Sequence, residues 1–288
     1  MPDSPREPMA GASTTSAEEV RRLLTESPPG SVTLLDVRQD WEYSEFHLPG
    51  ALLVPLGELP DRLGEIDRNT PVVAYCRSGR RSAAAASLLA GQGFSPVVNM
   101  AGGILAWQGA GAVGPVDQGL FLLPSDMGPG EVFRAAYAME QRLARFYEGQ
   151  AAAAGDPEVA GTFRKLAGFE DKHANLVMNL WRKSGAVVPD QAGLDADVSD
   201  AAAPTLLEGG LPGDSYLAQS GAEPGRSAEV LELAMAVEAQ AMDLYLRGSR
   251  VMRSLEARQA LVRLAGEEKS HLAALAALFD RISPKPVA

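Results

Sequence analysis

The only cysteine of the chain, Cys76, lies in the stretch Y-C-R-S-G-R-R-S, with three arginines among the five residues that follow it. A short apolar run precedes it, and a helical pattern begins near Ser82. A loop that curls ahead of a helix N-terminus directs its backbone N–H groups at one point. These donors and the guanidinium groups of Arg77, Arg80 and Arg81 would lower the pKa of the thiol. The pattern therefore predicts a nucleophilic thiol in a site for a sulfur anion, rather than an inert buried cysteine.

A second set of reactive residues occurs twice in the C-terminal half, in two copies offset by 98 residues. Each copy has a Glu, a Tyr seven residues later, and an E-x-x-H pair that begins 30 residues after the first Glu. The first copy is Glu140, Tyr147, Glu170 and His173, and the second copy is Glu238, Tyr245, Glu268 and His271. Residues three or seven apart lie on one face of a helix, so each copy can direct its side chains to one place.

Apolar residues surround these carboxylates, as in A-A-Y-A-M before Glu140 and L-A-M-A-V before Glu238. Four carboxylates in an apolar core are too costly unless cations neutralise them. A single E-x-x-H pair usually lies on the surface and binds no metal. The repetition of the pair at the same interval from a buried-type Glu favours two divalent metal ions, as in di-iron carboxylate bundles. Tyr147 and Tyr245 are predicted to pack in the core, where their hydroxyls could support the ligand carboxylates by hydrogen bonds.

The elements that would position the cysteine follow an alternating pattern up to about residue 110. The runs 32–37, 72–76 and 97–100 are short, apolar and partly β-branched, as expected for buried strands, whereas 17–24 and 82–90 have helical spacing. Strands that alternate with helices predict a parallel sheet covered on both faces. We therefore predict an α/β domain over residues 1–112.

Residues 113–128 are rich in Gly and Pro and are predicted to form a linker to an all-α domain over residues 129–288. Four long helical patterns follow, at about 130–154, 157–184, 227–252 and 255–281. A connection of about 40 residues, at about 185–226, separates the two pairs. This order predicts a four-helix bundle with a long crossover.

The cysteine loop resembles the active-site loop C-R-x-G-x-R of the rhodanese-type sulfurtransferases. The segments L-D-V-R, F-H-L-P-G-A and M-A-G-G-I-L-A-W also resemble that family, and the resemblance covers about residues 16–110. It implies that Cys76 accepts a sulfane sulfur from a donor and passes it, as a persulfide, to a thiol or cyanide-like acceptor. A cysteine phosphatase needs C-x5-R, but Ser82 stands where its arginine would be, so sulfur transfer is favoured.

The same resemblance implies roles for residues around the loop. Ser78 and Gly79 would help to form it, and Asp36 and Arg38 would brace it through an ion pair. His47 is predicted to be a structural hydrogen-bonding residue.

The helical half resembles the rubrerythrin branch of the ferritin-like family over about residues 128–282. The resemblance implies that Glu170 and Glu268 bridge two iron ions, that Glu140 and Glu238 are terminal ligands, and that each histidine binds one ion. It further implies reduction of peroxide or reaction with oxygen. The chain departs from rubrerythrins in two respects, which weaken the implied peroxidase activity. Ala241 stands where rubrerythrins usually carry a further Glu. In addition, one cysteine cannot build a rubredoxin site, so the electrons need an external donor.

The composition limits the partners and the compartment. The chain of 288 residues has 26 basic and 37 acidic residues and a formal net charge of −11, which argues against nucleic acid or an anionic membrane as a general partner. A single cysteine permits no intrachain disulfide and suits a reducing compartment. The polar first residues do not resemble a signal peptide, and no apolar run is long enough to cross a membrane. We therefore expect a cytoplasmic protein.

Several alternatives remain open from the sequence. The helical domain could store or sense iron, and the first domain could be a partner-binding module that uses the cysteine loop as a docking surface. Manganese or a mixed metal pair would suit the same ligands. A homodimer is plausible because bundles of this family often pair through helix faces.

Overall fold

The computed structural model describes residues 11–198, 206–207, 209–219 and 225–282. The chain divides into two compact units, Met1–Val116 and Asp117–Ala288. Each unit has its own hydrophobic clusters.

The first unit contains a five-stranded sheet in which all strand pairs are parallel, in the order β1-β5-β4-β2-β3. The strands are β1 (Ser13–Ser16), β2 (Thr33–Asp36), β3 (Leu52–Leu53), β4 (Val72–Tyr75) and β5 (Val97–Ala101). The three predicted strands β2, β4 and β5 are confirmed. The polar β1 was not predicted because it has no apolar run, and β3 was not predicted because it has only two residues.

Three helices accompany this sheet: α1 (Ala17–Glu26), α2 (Asp40–Glu45) and α3 (Arg80–Gly91). Alternate residues of β4 enter different clusters, since Val72 and Ala74 pack with residues of α3, whereas Val73 and Tyr75 pack with residues of α1 and α2. The sheet is therefore covered on both faces, as predicted.

The second unit is built around four long helices: α4 (Pro129–Ala153), α5 (Pro157–Lys183), α8 (Ser227–Val251) and α9 (Leu255–Ile282). Their bounds lie within about two residues of the predicted ones. Asp156 caps α5 by accepting hydrogen bonds from backbone N–H groups of its first turn, and Pro157 occupies the first helical position. One hydrophobic cluster contains residues from all four helices.

The predicted crossover contains two short helices that the sequence did not indicate, α6 (Gln191–Val198) and α7 (Gly213–Gln219). Arg134 of α4 forms a bidentate ion pair with Asp197, with both N–O distances at 2.6 Å. These contacts attach α6 to α4. Residues 199–205, 208 and 220–224 of the crossover lie outside the described residues.

The segment predicted as a linker is divided between the units after Val116. Its second part includes a 3-10 helix, Leu120–Leu122, and the buried Leu123 belongs to the core of the helical unit. The Arg247 guanidinium donates to the carbonyl of Gln118 at 2.9 Å. Residues 117–123 are thus part of the helical unit, because their leucines supply apolar surface that the helices bury.

Within the part of the chain that the structure describes, no helix combines the length and the apolar character that a membrane crossing requires.

Candidate active site and candidate metal centre

Cys76 directly follows β4, at the carboxyl end of a central strand, where sequence analysis placed it. Gly79 has a φ of 90°, which only glycine adopts without strain, and it forms the N-cap of α3. The helix therefore begins at Arg80, two residues earlier than predicted. This turn brings the chain back over the sulfur.

Two donors contact the sulfur of Cys76, which is 1% exposed. The backbone N–H of Gly79 donates to Sγ at 3.1 Å, and the hydroxyl of Ser82 lies 3.5 Å from Sγ. Burial raises the pKa of the Cys76 thiol, but hydrogen bonds from the Ser82 hydroxyl and from the backbone N–H groups of Ser82, Ser78 and Gly79 outweigh it, so the pKa is lowered. A lowered pKa increases the thiolate fraction near neutral pH.

The three arginines of the loop have different environments. Arg77 and Arg80 are exposed. Arg81 is half-buried and forms a bidentate ion pair with Glu42 of α2, with both N–O distances at 2.7 Å. Glu42 holds the pKa of Arg81 above its usual range, and the neighbouring Cys76 sulfur adds to this effect. Arg81 is therefore both a positive charge near the sulfur and a link from the loop to α2.

Gly103, which follows β5, supports the cysteine loop. A Cβ atom at Gly103 would lie 2.3 Å from the carbonyl oxygen of Cys76, so only glycine permits this close approach. The backbone N–H of Ile104 donates to that same oxygen at 2.8 Å, and the N–H of Leu105 donates to the Arg77 oxygen at 3.2 Å. The segment after β5 thus fixes the backbone on which the sulfur is carried.

Asp36 and Arg38 form the expected ion pair, with Nη2 and Oδ2 2.6 Å apart and both side chains buried. The Arg38 guanidinium also donates to the Phe46 carbonyl oxygen at 2.7 Å and lies 5.6 Å from the centre of the Tyr75 ring. The pair therefore joins β2 to the segment after α2 and to the residue before Cys76.

His47 is fully buried, as a structural histidine would be. Its Nδ1 lies 2.9 Å from the Tyr43 carbonyl oxygen, and the two rings stack with centroids 3.6 Å apart. Its backbone exchanges hydrogen bonds with Ala112.

The first unit matches a known protein family. Residues 16–110 match the model of the rhodanese-like domain. Over 76 residues the chain is 43% identical to a protein called "Sulfurtransferase" from Allochromatium vinosum, and the match covers 26% of this chain and 71% of that protein. The chain belongs to the rhodanese-like family.

Two further proteins similar to this rhodanese-like protein differ in how much of their own length the match covers. The "Putative sulfur carrier protein YrkF" of Bacillus subtilis is 42% identical over 79 residues, which cover 27% of this chain and 43% of that protein. A crystal structure of a rhodanese-like domain protein from Staphylococcus aureus is 34% identical and covers 33% of this chain and 90% of that one, with a TM-score of 0.31.

Sequence analysis missed three residues beside the rhodanese-like loop: Glu42, Ser82 as a hydrogen-bond donor, and Asn99. Ser82 and Asn99 are buried, and the Ser82 hydroxyl donates to Asn99 Oδ1 at 2.7 Å. A polar residue within the apolar run of β5 is the one signal that could have identified Asn99.

The helical unit brings all six predicted metal ligands together. Helix α4 supplies Glu140 and α8 supplies Glu238, whereas α5 supplies Glu170 and His173 and α9 supplies Glu268 and His271. The imidazole rings of His173 and His271 stack with centroids 3.1 Å apart. His173 Nδ1 lies 2.8 Å from a Glu170 oxygen and 3.8 Å from a Glu140 oxygen. The second copy repeats this arrangement, since His271 Nδ1 lies 3.1 Å from a Glu268 oxygen and 3.7 Å from a Glu238 oxygen.

The chemistry of this cluster suits divalent metal ions. Its four carboxylates are 1–2% exposed, and one of the Glu238 oxygens has no hydrogen-bond partner among the described residues. Two groups, Glu140/Glu170/His173 and His173/Glu238/His271, each offer three ligand atoms within 4.8 Å of one another. Burial and the neighbouring His271 lower the pKa of His173 to about 4, so its imidazole is neutral near pH 7 and can act as a ligand.

Tyr147 and Tyr245 are fully buried, in agreement with a packing role. Tyr147 packs against Phe163 and Phe146, with ring centroids 6.1 and 5.7 Å away. Ala241 is also fully buried.

Proposed function

We propose that the rhodanese-like unit transfers sulfane sulfur through a persulfide on Cys76. The observation that carries this proposal is the position of two hydrogen-bond donors beside Sγ, since the Gly79 nitrogen lies 3.1 Å and the Ser82 hydroxyl oxygen 3.5 Å from it. The proposal is supported by relatives whose names describe sulfurtransferases, including the protein from Allochromatium vinosum and the "Putative sulfurtransferase YtwF" of Bacillus subtilis.

The transfer consists of two displacements. In the first, the Cys76 thiolate attacks the outer sulfur of thiosulfate or a polysulfide, an S–S bond forms, and sulfite or a shortened polysulfide leaves. In the second, a thiol or cyanide-like acceptor attacks the outer sulfur of the persulfide, and the Cys76 thiolate leaves. Since the chain has one cysteine, no second thiol of the same chain can remove this sulfur, so it passes to another molecule.

Mass spectrometry of the full chain after incubation with thiosulfate tests this step. The wild type should gain the mass of one sulfur atom and lose it on addition of cyanide, with release of thiocyanate. Cys76→Ser should show neither change. A wild-type protein that stays unmodified with thiosulfate and with polysulfide would favour the alternative of a partner-binding module.

For the helical unit we propose a ferritin-like bundle that holds two iron ions and reduces peroxide or reacts with oxygen. The observation that carries this second function is the convergence of four buried carboxylates and two histidines. Glu140, Glu170, His173, Glu238, Glu268 and His271 would together hold the two ions. Bound iron would supply the electrons for the reduction, and manganese or a mixed pair suits the same ligands.

The residues of the chain then have distinct tasks in this unit. The four carboxylates would balance the positive charge of the ions, and the imidazoles of His173 and His271 would supply two further ligands. The apolar core around them, including Tyr147 and Tyr245, limits access of water. Because the one cysteine of the chain cannot build a four-thiolate rubredoxin site, the electrons would come from an external donor.

Metal analysis and absorption spectroscopy of the purified chain under reducing and oxidising conditions test this function. We expect about two metal ions per chain and a spectrum that changes on oxidation by peroxide. A metal content clearly below two ions per chain would contradict the di-iron proposal. Metal-loaded protein that peroxide does not oxidise rapidly would instead favour iron storage or sensing.

The occurrence of both sites in one chain suggests that reactive sulfur and oxygen or peroxide are handled together. Steady-state turnover of each site in the full chain and in chains that lack one unit tests this link. Unchanged turnover with every donor and acceptor tried would show that the sites act independently.

A further inference from the structure

The hydroxyl of Ser82 has two acceptors but only one proton. It lies 2.7 Å from Asn99 Oδ1 and 3.5 Å from Cys76 Sγ. Both Ser82 and Asn99 are at least 95% buried, so water does not readily replace either contact. The Nδ2 group of Asn99 lies 3.4 Å from the Thr14 hydroxyl, and this contact fixes the amide with Oδ1 towards Ser82.

We propose that Ser82 is a hydrogen-bond donor to the leaving sulfur of Cys76, and that Asn99 is a positioning residue that holds this proton while Cys76 carries sulfur. This inference rests on the proposed sulfur transfer and identifies which of its two displacements the Ser82–Asn99 pair assists.

The charge of the sulfur site moves during the cycle. In the free enzyme the negative charge lies on Sγ, whereas in the persulfide it lies on the outer sulfur and Sγ is a neutral divalent atom. A hydroxyl donates more strongly to an anion than to a neutral sulfur. The Ser82 proton therefore turns to Sγ when the thiolate is free and returns to Asn99 when Cys76 is loaded.

The consequence differs for the two displacements. In sulfur delivery, Cys–S–S⁻ and cyanide give Cys–S⁻ and thiocyanate, so negative charge develops on Sγ as the S–S bond breaks. Donation from Ser82 stabilises that charge in the transition state. In loading, the thiolate is the nucleophile and loses charge, so the same hydrogen bond must weaken. Ser82 thus accelerates delivery, but not the attack of thiolate on the donor.

Single-turnover kinetics of the full chain, with thiosulfate as donor and cyanide as acceptor, separate these steps. Sulfite release reports loading, and thiocyanate release from preloaded protein reports delivery. At a pH well above the thiol pKa, Ser82→Ala should slow delivery about tenfold and leave loading unchanged or faster. Equal slowing of both steps, or no slowing of delivery, would overturn the proposal.

The pH dependence of Cys76 alkylation by iodoacetamide provides a readout that involves no sulfur transfer. Ser82→Ala should raise the thiol pKa by about one unit. Asn99→Leu should lower it, because the hydroxyl loses its competing acceptor, and the double variant should behave like Ser82→Ala. A rise in Asn99→Leu would overturn the competition between the two acceptors. The charged side chains at this loop, Arg77, Arg80, Arg81 and Glu42, are unchanged in all variants.

Ser87→Ala is a matched control, because Ser87 lies on the same helix, is exposed and donates to the Ala83 carbonyl oxygen. It should leave both steps and the thiol pKa unchanged. Circular dichroism and thermal unfolding establish that each variant is folded. If the wild-type protein forms no persulfide, sulfur transfer itself fails, and alkylation still decides whether the Ser82–Asn99 pair acts on the thiol.

Discussion

The donors closest to the Cys76 sulfur are uncharged, although sequence analysis emphasised the arginines. The Gly79 N–H and the Ser82 hydroxyl contact Sγ, whereas the charge of Arg81 is largely balanced by Glu42. This difference arises because a buried anion needs short, directed hydrogen bonds, and backbone N–H groups of a tight turn supply them without a long side chain.

We expect Glu42→Gln to destabilise the first unit at pH 7 by about 1 kcal/mol, because the bidentate contact with Arg81 loses its charge. The Arg81 hydrogen bond lowers the pKa of Glu42 below the ordinary value of 4.5. A carboxyl with a lowered pKa stabilises the fold above 4.5, and this contribution is lost as the pH falls through the folded-state pKa. Urea unfolding of wild type and variant at pH 7 and in acid measures the effect.

The difference in free energy of unfolding between the wild type and Glu42→Gln should therefore shrink in acid. Glu45→Gln, on the exposed side of the same helix, is the control and should change little at either pH. A destabilisation by Glu42→Gln that stays constant from pH 7 to acid would contradict a stabilising role of the Glu42–Arg81 ion pair.

The buried Glu238 is expected to destabilise the protein in the absence of metal. Its carboxyl group is 2% exposed and is buried beside three other carboxyl groups, so Glu238→Gln should raise the melting temperature of the metal-free protein by several degrees. The same variant should lose most of the stabilisation that Fe²⁺ or Mn²⁺ gives the wild type. Thermal unfolding with and without metal measures both.

Glu232→Gln is a suitable control because Glu232 is exposed on the same helix. It should respond to metal like the wild type. If metal stabilises Glu238→Gln as much as the wild type, Glu238 is not a ligand.

Among the elements, the segment after β5 decides whether the cysteine loop keeps its shape. We expect Gly103→Ala to slow alkylation and persulfide formation at Cys76 by at least about tenfold, because the new Cβ would overlap the Cys76 carbonyl and Gly103 has a φ of 57°. Single-turnover sulfite release and iodoacetamide kinetics measure this loss.

Gly91→Ala is the matched control, since Gly91 is the last residue of α3 and a Cβ there meets no atom within 4 Å. It should retain the wild-type rates. A Gly103→Ala protein with wild-type rates would show that the close approach to the Cys76 carbonyl does not shape the loop.

The elements differ in how well the sequence revealed them. The long helices α4, α5, α8 and α9 follow from their apolar spacing and from Pro157, and β2, β4 and β5 follow from their apolar runs. The short α2, α6 and α7 were missed because fewer than about nine residues give too few turns for a helical period to be recognised. Their stability comes from contacts such as Arg81–Glu42 and Arg134–Asp197, which join residues distant in sequence.

For the molecule as a whole, the boundary at Val116–Asp117 leads to a prediction about fragments. A chain of residues 117–288 should be more stable than one of residues 129–288, by about 3 kcal/mol or more. The shorter chain loses the buried Leu123 and leaves the buried Arg247 without the Gln118 carbonyl. Urea unfolding followed by circular dichroism compares the two.

The fragment 117–288 should have the helical spectrum expected from the described helices, which establishes that it is folded. Equal stability of the two fragments would mean that residues 117–128 act as the linker that the sequence predicted.

Sequence patterns alone predicted the two kinds of unit, the position of Cys76 after a strand, and the six residues of the proposed metal centre. Local patterns suffice for these features, because the helical period and the repeat at 98 residues fix which side chains share a face. The proximity of Glu42, Ser82 and Asn99 to the Cys76 loop, in contrast, is visible in the tertiary structure and not in the sequence. These residues reach the loop from α2, α3 and β5, and their contacts depend on how the parallel sheet places chain segments that are far apart in sequence.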